Sequence, residues 1–196
     1  LLTLIFATNN AHKVQEIQAA IGHQITVISL KEAGIDIDIP EPYDTLEANA
    51  TQKSRTIQQL TGKNCFSEDT GLEVDALNGE PGVKSARYAG EDKAFDKNIE
   101  KLLGKLGDNP QRTARFRTVI SLLWGDQEYL FEGICEGTII HDKKGTGGFG
   151  YDPVFVPEGS TRTFAEMTLE EKGQYSHRKK AADKLVSFLQ QVVQQA

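Results

Sequence analysis

Ser67-Glu68-Asp69-Thr70-Gly71 sets two carboxylates side by side, with no basic neighbour in sequence. Two acids at the end of a short strand, just before a turn, point to a hard cation. Mg²⁺ binds through one or two carboxylates and completes its shell with water and substrate phosphates. Glu41, fixed between Pro40 and Pro42, can add an oxygen from a rigid loop. A solvated acidic turn is the plainer alternative. Lys53 falls among the apolar positions of an expected helix, seven residues from both Leu46 and Leu60. An inward ammonium needs an anionic partner, either a phosphate or an acid, unless it snorkels past the core edge. Thr8-Asn9-Asn10-Ala11-His12-Lys13 follows an apolar run and opens a helix. Free N–H groups, the positive dipole end and a lysine there can cradle phosphate, or the asparagines simply cap the helix. The Walker pattern G-x-x-x-x-G-K-[ST] does not occur. Gly145-Thr146-Gly147-Gly148-Phe149-Gly150-Tyr151-Asp152-Pro153 combines close-approach glycines with two rings and a carboxylate. That composition suits a wall for a flat, hydrogen-bonding ligand such as a nucleobase, or a tight turn whose rings belong to the core. Lys172, Ser176, His177 and Arg178 gather donor side chains at the start of the last helix.

The elements that must carry these residues follow from periodicity. An apolar strand over 2–6 leads to a helix with Val14, Ile17 and Ile21 on one face. A strand is expected over 26–30, and strict alternation over 35–39 predicts a strand or extended edge. Asp44-x-x-Glu47 resembles a capping box for a helix to about residue 60, closed by Gly62. Short strands are expected over 65–67 and 72–74, and a helix over 94–106 with Phe95, Ile99, Leu102, Leu103 and Leu106 on one side. Antiparallel strands over 115–124 and 128–140 would meet at Gly125-Asp126, followed by a strand over 154–156. A final helix begins near Ser176 with a stripe of Ala182, Leu185, Val186, Leu189, Val192 and Val193. Helices and strands intermix with a hairpin in the second half, so the expected fold is α/β around a mixed sheet flanked by helices.

The 196 residues suit a single domain over 1–196, with room for two lobes. A hydrophobic share of 38%, a charged share of 26% and a formal charge of −6 describe an ordinary globular chain. An acidic balance argues against a nucleic acid polymer or an anionic membrane as partner. Cys65 and Cys135 lack metal or redox spacing and read as reduced thiols of a cytoplasmic protein. No apolar run is long enough to span a bilayer, and the opening apolar run reads as a strand and not a signal peptide.

Five segments, in order and spacing, resemble the inosine-triphosphate-type nucleoside triphosphate pyrophosphatase family. They are Thr8-Asn9-Asn10-Ala11-His12-Lys13, Glu68-Asp69-Thr70-Gly71-Leu72, and Pro81-Gly82 with Ser85-Ala86-Arg87-Tyr88. Gly147-Gly148-Phe149-Gly150-Tyr151-Asp152-Pro153 and Ala165-Glu166 through Lys172 to Ser176-His177-Arg178 complete the match, which spans nearly the whole chain. The resemblance implies an elongated two-lobed fold with a central active-site cleft, a homodimer, Mg²⁺, and hydrolysis between the α and β phosphates. Implied substrates are aberrant purine nucleoside triphosphates such as ITP, dITP and XTP, removed before they enter nucleic acid. Carried over residue by residue, Asp69 is the catalytic carboxylate and, with Glu41, a metal ligand. Thr8 to Lys13 and Lys53 hold the triphosphate. Thr70, Phe149, Gly150, Tyr151, Asp152, Lys172, His177 and Arg178 complete the substrate site. Thr70 keeps the hydroxyl of the serine often found in bacterial members, and Glu68 replaces an aspartate there.

On that footing, donors from Lys172, His177 and Arg178 would welcome the C6 carbonyl of hypoxanthine or xanthine and meet the amino group of adenine with nothing to accept. Leaving such groups unpaired costs about 1–3 kcal/mol each. Phe149 would stack on the base, and Asp152 would accept from a ring N–H. Three rival readings remain. A septum-inhibition-type nucleotide pyrophosphatase would open with Ser-Pro-Arg-Arg, which is absent. A non-catalytic nucleotide sensor would not need Glu41, Asp69 and both lysines. An aspartic protease is hinted at by Asp69-Thr70-Gly71; it needs two facing aspartates, which the single copy here would supply only by pairing in a dimer.

Overall fold

A computed structural model describes residues 2–194; Leu1, Gln195 and Ala196 of the expected 1–196 domain lie outside them. The strands are β1 (Leu2–Phe6), β2 (Ile25–Ile28), β3 (Cys65–Val74), β4 (Pro81–Gly82), β5 (Thr113–Trp124), β6 (Gln127–Ile139) and β7 (Phe155–Pro157). The helices are α1 (Ala11–Ile21), α2 (Leu46–Thr61), α3 (Phe95–Leu106), α4 (Leu169–Gly173) and α5 (His177–Gln194). Among the described residues the strands form one mixed sheet in the order β2-β1-β3-β5-β6-β7, with β4 on β3. β1 runs parallel to β2 and β3, while β4 on β3 and β7 on β6 are antiparallel. β5 and β6 are neighbours joined by Gly125-Asp126, a connection only antiparallel strands can make. The expected mixed α/β sheet with flanking helices is therefore observed.

The chain divides into two compact units. Leu1–Asp69, Thr118–Gly133 and Arg178–Ala196 make the first; Thr70–Arg117 and Ile134–His177 make the second. In the first unit, β1 has neighbours on both sides and reads as an apolar run, as a strand inside a parallel arrangement should. Leu4, Phe6, Phe66, Ile120, Leu122 and the α5 residues Ala182, Leu185 and Leu189 share one core. Ile57, Cys65 and Leu123 centre another. The second unit closes around Leu72, Leu102, Phe116, Phe155 and Phe164.

Several expected boundaries shift for physical reasons. Thr45, not Asp44, caps α2, accepting from the Ala48 N–H. Leu60 is 59% exposed, because α2 outlasts the core it packs on. Residues 35–39 form no strand, yet their alternation is real: Ile39 is buried and Ile35 and Ile37 pack on the first unit's core. The two short strands expected around Glu68 are one ten-residue strand. Gly71 keeps it straight and close to β4, since a Cβ there would stand 2.7 Å from the Gly82 carbonyl oxygen. The last helix begins at His177 and the strand expected over 154–156 is Phe155–Pro157.

Candidate active site

The candidate residues fall into two clusters, one in each unit. The first is built where β1 turns into α1. Asn10 caps the helix by accepting from the Lys13 N–H at 3.2 Å. Thr8 Oγ1 accepts from the Asn10 N–H, and Asn9 Oδ1 from the Lys31 N–H. These side chains set the loop's shape and so aim the helix N-terminus; Ala11 and His12 sit exposed in its first turn. Lys13 reaches Glu68, with Nζ 3.0 Å from Oε1. From α2, the buried Lys53 donates to the Glu68 carbonyl at 2.6 Å and lies 3.6 Å from both Glu41 Oε1 and Asp69 Oδ1. The hydroxyl of Ser67 donates to the Ala50 carbonyl, which fixes β3 against α2.

Successive side chains of a strand point to opposite faces. Glu68 and Asp69, expected as a pair at a strand end, are therefore split inside β3. Glu68 turns to Lys13 and Arg178, whereas Asp69 turns to Lys53 and Glu41. Arg178, expected beside Lys172 and His177, is buried in the first unit, paired to Glu16 at 2.9 Å and Glu68 at 3.2 Å. Glu16 was not singled out in the sequence; its place three residues after Lys13 on α1 is the signal that puts both on one face.

Asp69 differs from its neighbours. Its Oδ2 is buried and has no hydrogen-bond partner. Burial, opposed by Lys53, reinforced by Glu41, lowered again by Lys13 and raised by Glu68, pushes its carboxyl up to about 6. A buried, unsatisfied carboxylate oxygen beside Glu41 fits a divalent cation. No group of three or more His, Cys, Asp or Glu gathers to hold a metal among the described residues. Asp69 and Glu41 could hold a hard cation whose shell phosphate and water would complete. Within the described residues of one chain, Asp69 faces Lys53 and Glu41.

The second cluster lies on the loop before β7. A Cβ at Gly145 would overlap the backbone of Ala165 and Glu166, and one at Gly148 (φ +66°) would overlap the Asp152 carboxylate. The glycines thus allow the loop to close on its own acid. Asp152 Oδ2 accepts from the Phe149 N–H at 3.2 Å and from Lys172 Nζ at 2.7 Å, a pair with both side chains 5% exposed. Lys172 Nζ lies 5.2 Å from the ring centroids of both Phe149 and Phe164. Lys172 is delivered by the short α4, whose cap Thr168 accepts from the Glu171 N–H. Tyr151 belongs to the core, its hydroxyl donating to the Ser85 carbonyl at 2.6 Å. His177 stacks on Phe116, with centroids 4.6 Å apart. Thr70 is half-buried in β3, and Gly150 adopts φ +61° beside the pair. Phe116 and Phe164 were not singled out in the sequence.

A mixed sheet flanked by helices, with a helix N-terminus and a basic-acidic cluster in one unit and an aromatic-lysine shelf in the other, defines an α/β protein. Residues 4–188 match the Ham1 family, and the chain belongs to that family. A dITP/XTP pyrophosphatase of Flavobacterium johnsoniae is 50% identical over 96% of this chain and 98% of its own. One from Porphyromonas gingivalis is 51% identical over 95% of this chain and 96% of its own. The solved structure of the Staphylococcus aureus Ham1 protein superposes with a TM-score of 0.86 at 42% identity, covering 96% of this chain and 98% of that one.

Proposed function

We propose that the chain is a nucleoside triphosphate pyrophosphohydrolase of the dITP/XTP type, which also accepts ITP. It cleaves between the α and β phosphates to give a nucleoside monophosphate and pyrophosphate. The observation that carries this reading is Asp69: a buried carboxylate with one oxygen unpartnered and its proton affinity raised, set against Glu41 and Lys53. Asp69 and Glu41 would hold Mg²⁺, which when bound would neutralise phosphate charge and lower the pKa of a water. Asp69 accepts the proton of the attacking water. Lys13, Lys53 and the start of α1 bind the phosphates and offset their charge, the main requirement of phosphoryl chemistry. Glu68 keeps Lys13 and Arg178 in place.

In the second unit, Phe149 stacks on the base. Lys172, held by Asp152, presents its ammonium to a C6 carbonyl. Adenine presents an amino group there and leaves both sides unpaired, so ITP, dITP and XTP are turned over and ATP is not. The enzyme acts as a cytoplasmic homodimer, the state that the family resemblance implies. No helix among the described residues is long and apolar enough to cross a membrane. A nucleotide panel with pyrophosphate detection, with and without Mg²⁺, tests the reading. Release from dITP and XTP but not ATP, abolished by chelator, is expected. Equal turnover of ATP would sink the base account, and turnover without a divalent cation would sink the metal account.

A further inference from the structure

The apolar stripe of α3 runs Phe95, Ile99, Leu102, Leu106, at the spacing of one helix face. Ile99, Leu102 and Leu106 are buried in the second unit's core, whereas Phe95, on the same helix face, is 42% exposed. A large ring so exposed at the start of that face has room for another role. Its neighbour supplies one: the Phe95 and Phe149 rings lie 6.2 Å apart at 50°. That is within the range of favourable tilted aromatic pairs. The next residue repeats the link, since Asp96 Oδ1 meets Lys143 Nζ at 3.2 Å, two residues before Gly145. The first turn of α3 therefore holds the glycine loop at two places, one apolar and one charged.

Phe149 needs such support. It is flanked by Gly148 and Gly150, both at positive φ, so its own backbone does little to fix its ring. Asp152 fixes its N–H, and Lys172 lies on one side of the ring. Phe95 is the further contact that limits its tilt. We infer that Phe95 is a positioning residue for the base: it holds Phe149 in its stacking orientation and extends the apolar shelf beside it. The inference rests on the proposed role of Phe149 as the surface that stacks on the purine.

The test compares Phe95→Ala, Phe95→Tyr and Phe149→Ala in dITP hydrolysis, with inorganic tripolyphosphate, which has no base, as a competing inhibitor. Phe95→Ala should raise KM for dITP about three- to tenfold, the loss of one aromatic pair. Its kcat should stay within about twofold, its inhibition constant for tripolyphosphate unchanged, and Phe95→Tyr should restore KM. Calorimetric binding of the inosine monophosphate product should weaken in step with KM. Unchanged KM in Phe95→Ala, with a raised KM in Phe149→Ala, overturns the role of Phe95 and leaves the stacking surface standing. Unchanged KM in both removes the stacking surface itself. A fall in kcat together with weaker tripolyphosphate inhibition in Phe95→Ala makes it a structural residue and also overturns the inference.

Discussion

Two buried carboxylates, one in each unit, meet their lysines on different terms. Asp152 in the second unit takes a 2.7 Å bond from Lys172 and a backbone N–H from Phe149, inside a loop whose glycines are shaped around it. Asp69 in the first unit stands 3.6 Å from Lys53 and keeps one oxygen without a partner. One acid is complete before any ligand arrives; the other is unfinished. Preorganisation suits a surface that selects a base, because a rigid donor rejects the wrong partner. Incompleteness suits a place where charge must be received, because a desolvated acid with an unpartnered oxygen gains most from a cation or a proton. The same contrast implies opposite responses to mutation, large in activity at Asp69 and large in stability at the Asp152–Lys172 pair.

The largest effect is expected at Asp69. Asp69→Asn should lower kcat for dITP by at least about a thousandfold, while circular dichroism shows an intact fold. It should also stabilise the metal-free chain. Asp69 is shifted up from the ordinary 3.8 to about 6, so the folded state binds its proton more tightly than the unfolded one. The contribution of that group is fully present below pH 3.8 and is lost as pH rises through 6. Two units correspond to about 3 kcal/mol. Without metal, Asp69→Asn should therefore melt higher than the parent at pH 8, and the gap should close near pH 4. A variant that melts lower at pH 8 would contradict the unfinished state of this acid.

Next in size is Lys172→Met, which leaves the Asp152 carboxylate buried without its cation. Breaking one side of such a pair costs about 3–5 kcal/mol. The double variant Lys172→Met/Asp152→Asn should lose less than the two single losses added together, since the pair is coupled. Additive losses in denaturant melts would show that the two groups are independent. Gly148→Ala should follow, at about 1–3 kcal/mol, because alanine is strained at φ +66° and its Cβ displaces the carboxylate that Lys172 holds. If Gly148→Ala binds inosine monophosphate as tightly as the parent, the loop does not shape the base shelf.

Much of this contrast was legible in the sequence, and the failures are instructive. Lys53 was visible because a lysine in an apolar stripe breaks the helical pattern, and it is buried at 6% exposure. The Gly145–Pro153 segment drew notice for its glycines beside rings and an acid, and of its two rings Tyr151 lies in the core, as the turn reading allowed. The separation of Glu68 from Asp69 was hidden, because Thr70-Gly71 reads as a turn. The glycine instead serves the close approach of β4, a long-range fact. Arg178 was grouped with His177 by adjacency and by the family resemblance, neither of which shows where each side chain points. At a helix start, consecutive side chains diverge by about 100°, so one stacks on Phe116 while the other turns to Glu16 and Glu68. Leu60 failed for a similar reason: periodicity names the face of a helix but not where the core beneath it stops.

The smallest predicted effect places a third carboxylate against the first two. Glu171 lies on the surface of the second unit, and its carboxyl is held down to about 2 by the Arg162 guanidinium and by the N–H and hydroxyl of Thr168. Its sign is opposite to that of Asp69. A depressed carboxyl stabilises the fold above the ordinary 4.5 and loses that contribution as pH falls toward 2. Exposure to solvent and salt keeps the effect small. Glu171→Gln should lower the melting temperature slightly at pH 7 and leave it equal to the parent near pH 2, the reverse of the trend at Asp69. A common trend in both variants would mean that net charge, and not the local setting of each acid, governs the pH response. Opposite trends would trace it to burial at Asp69 and to pairing at Glu171.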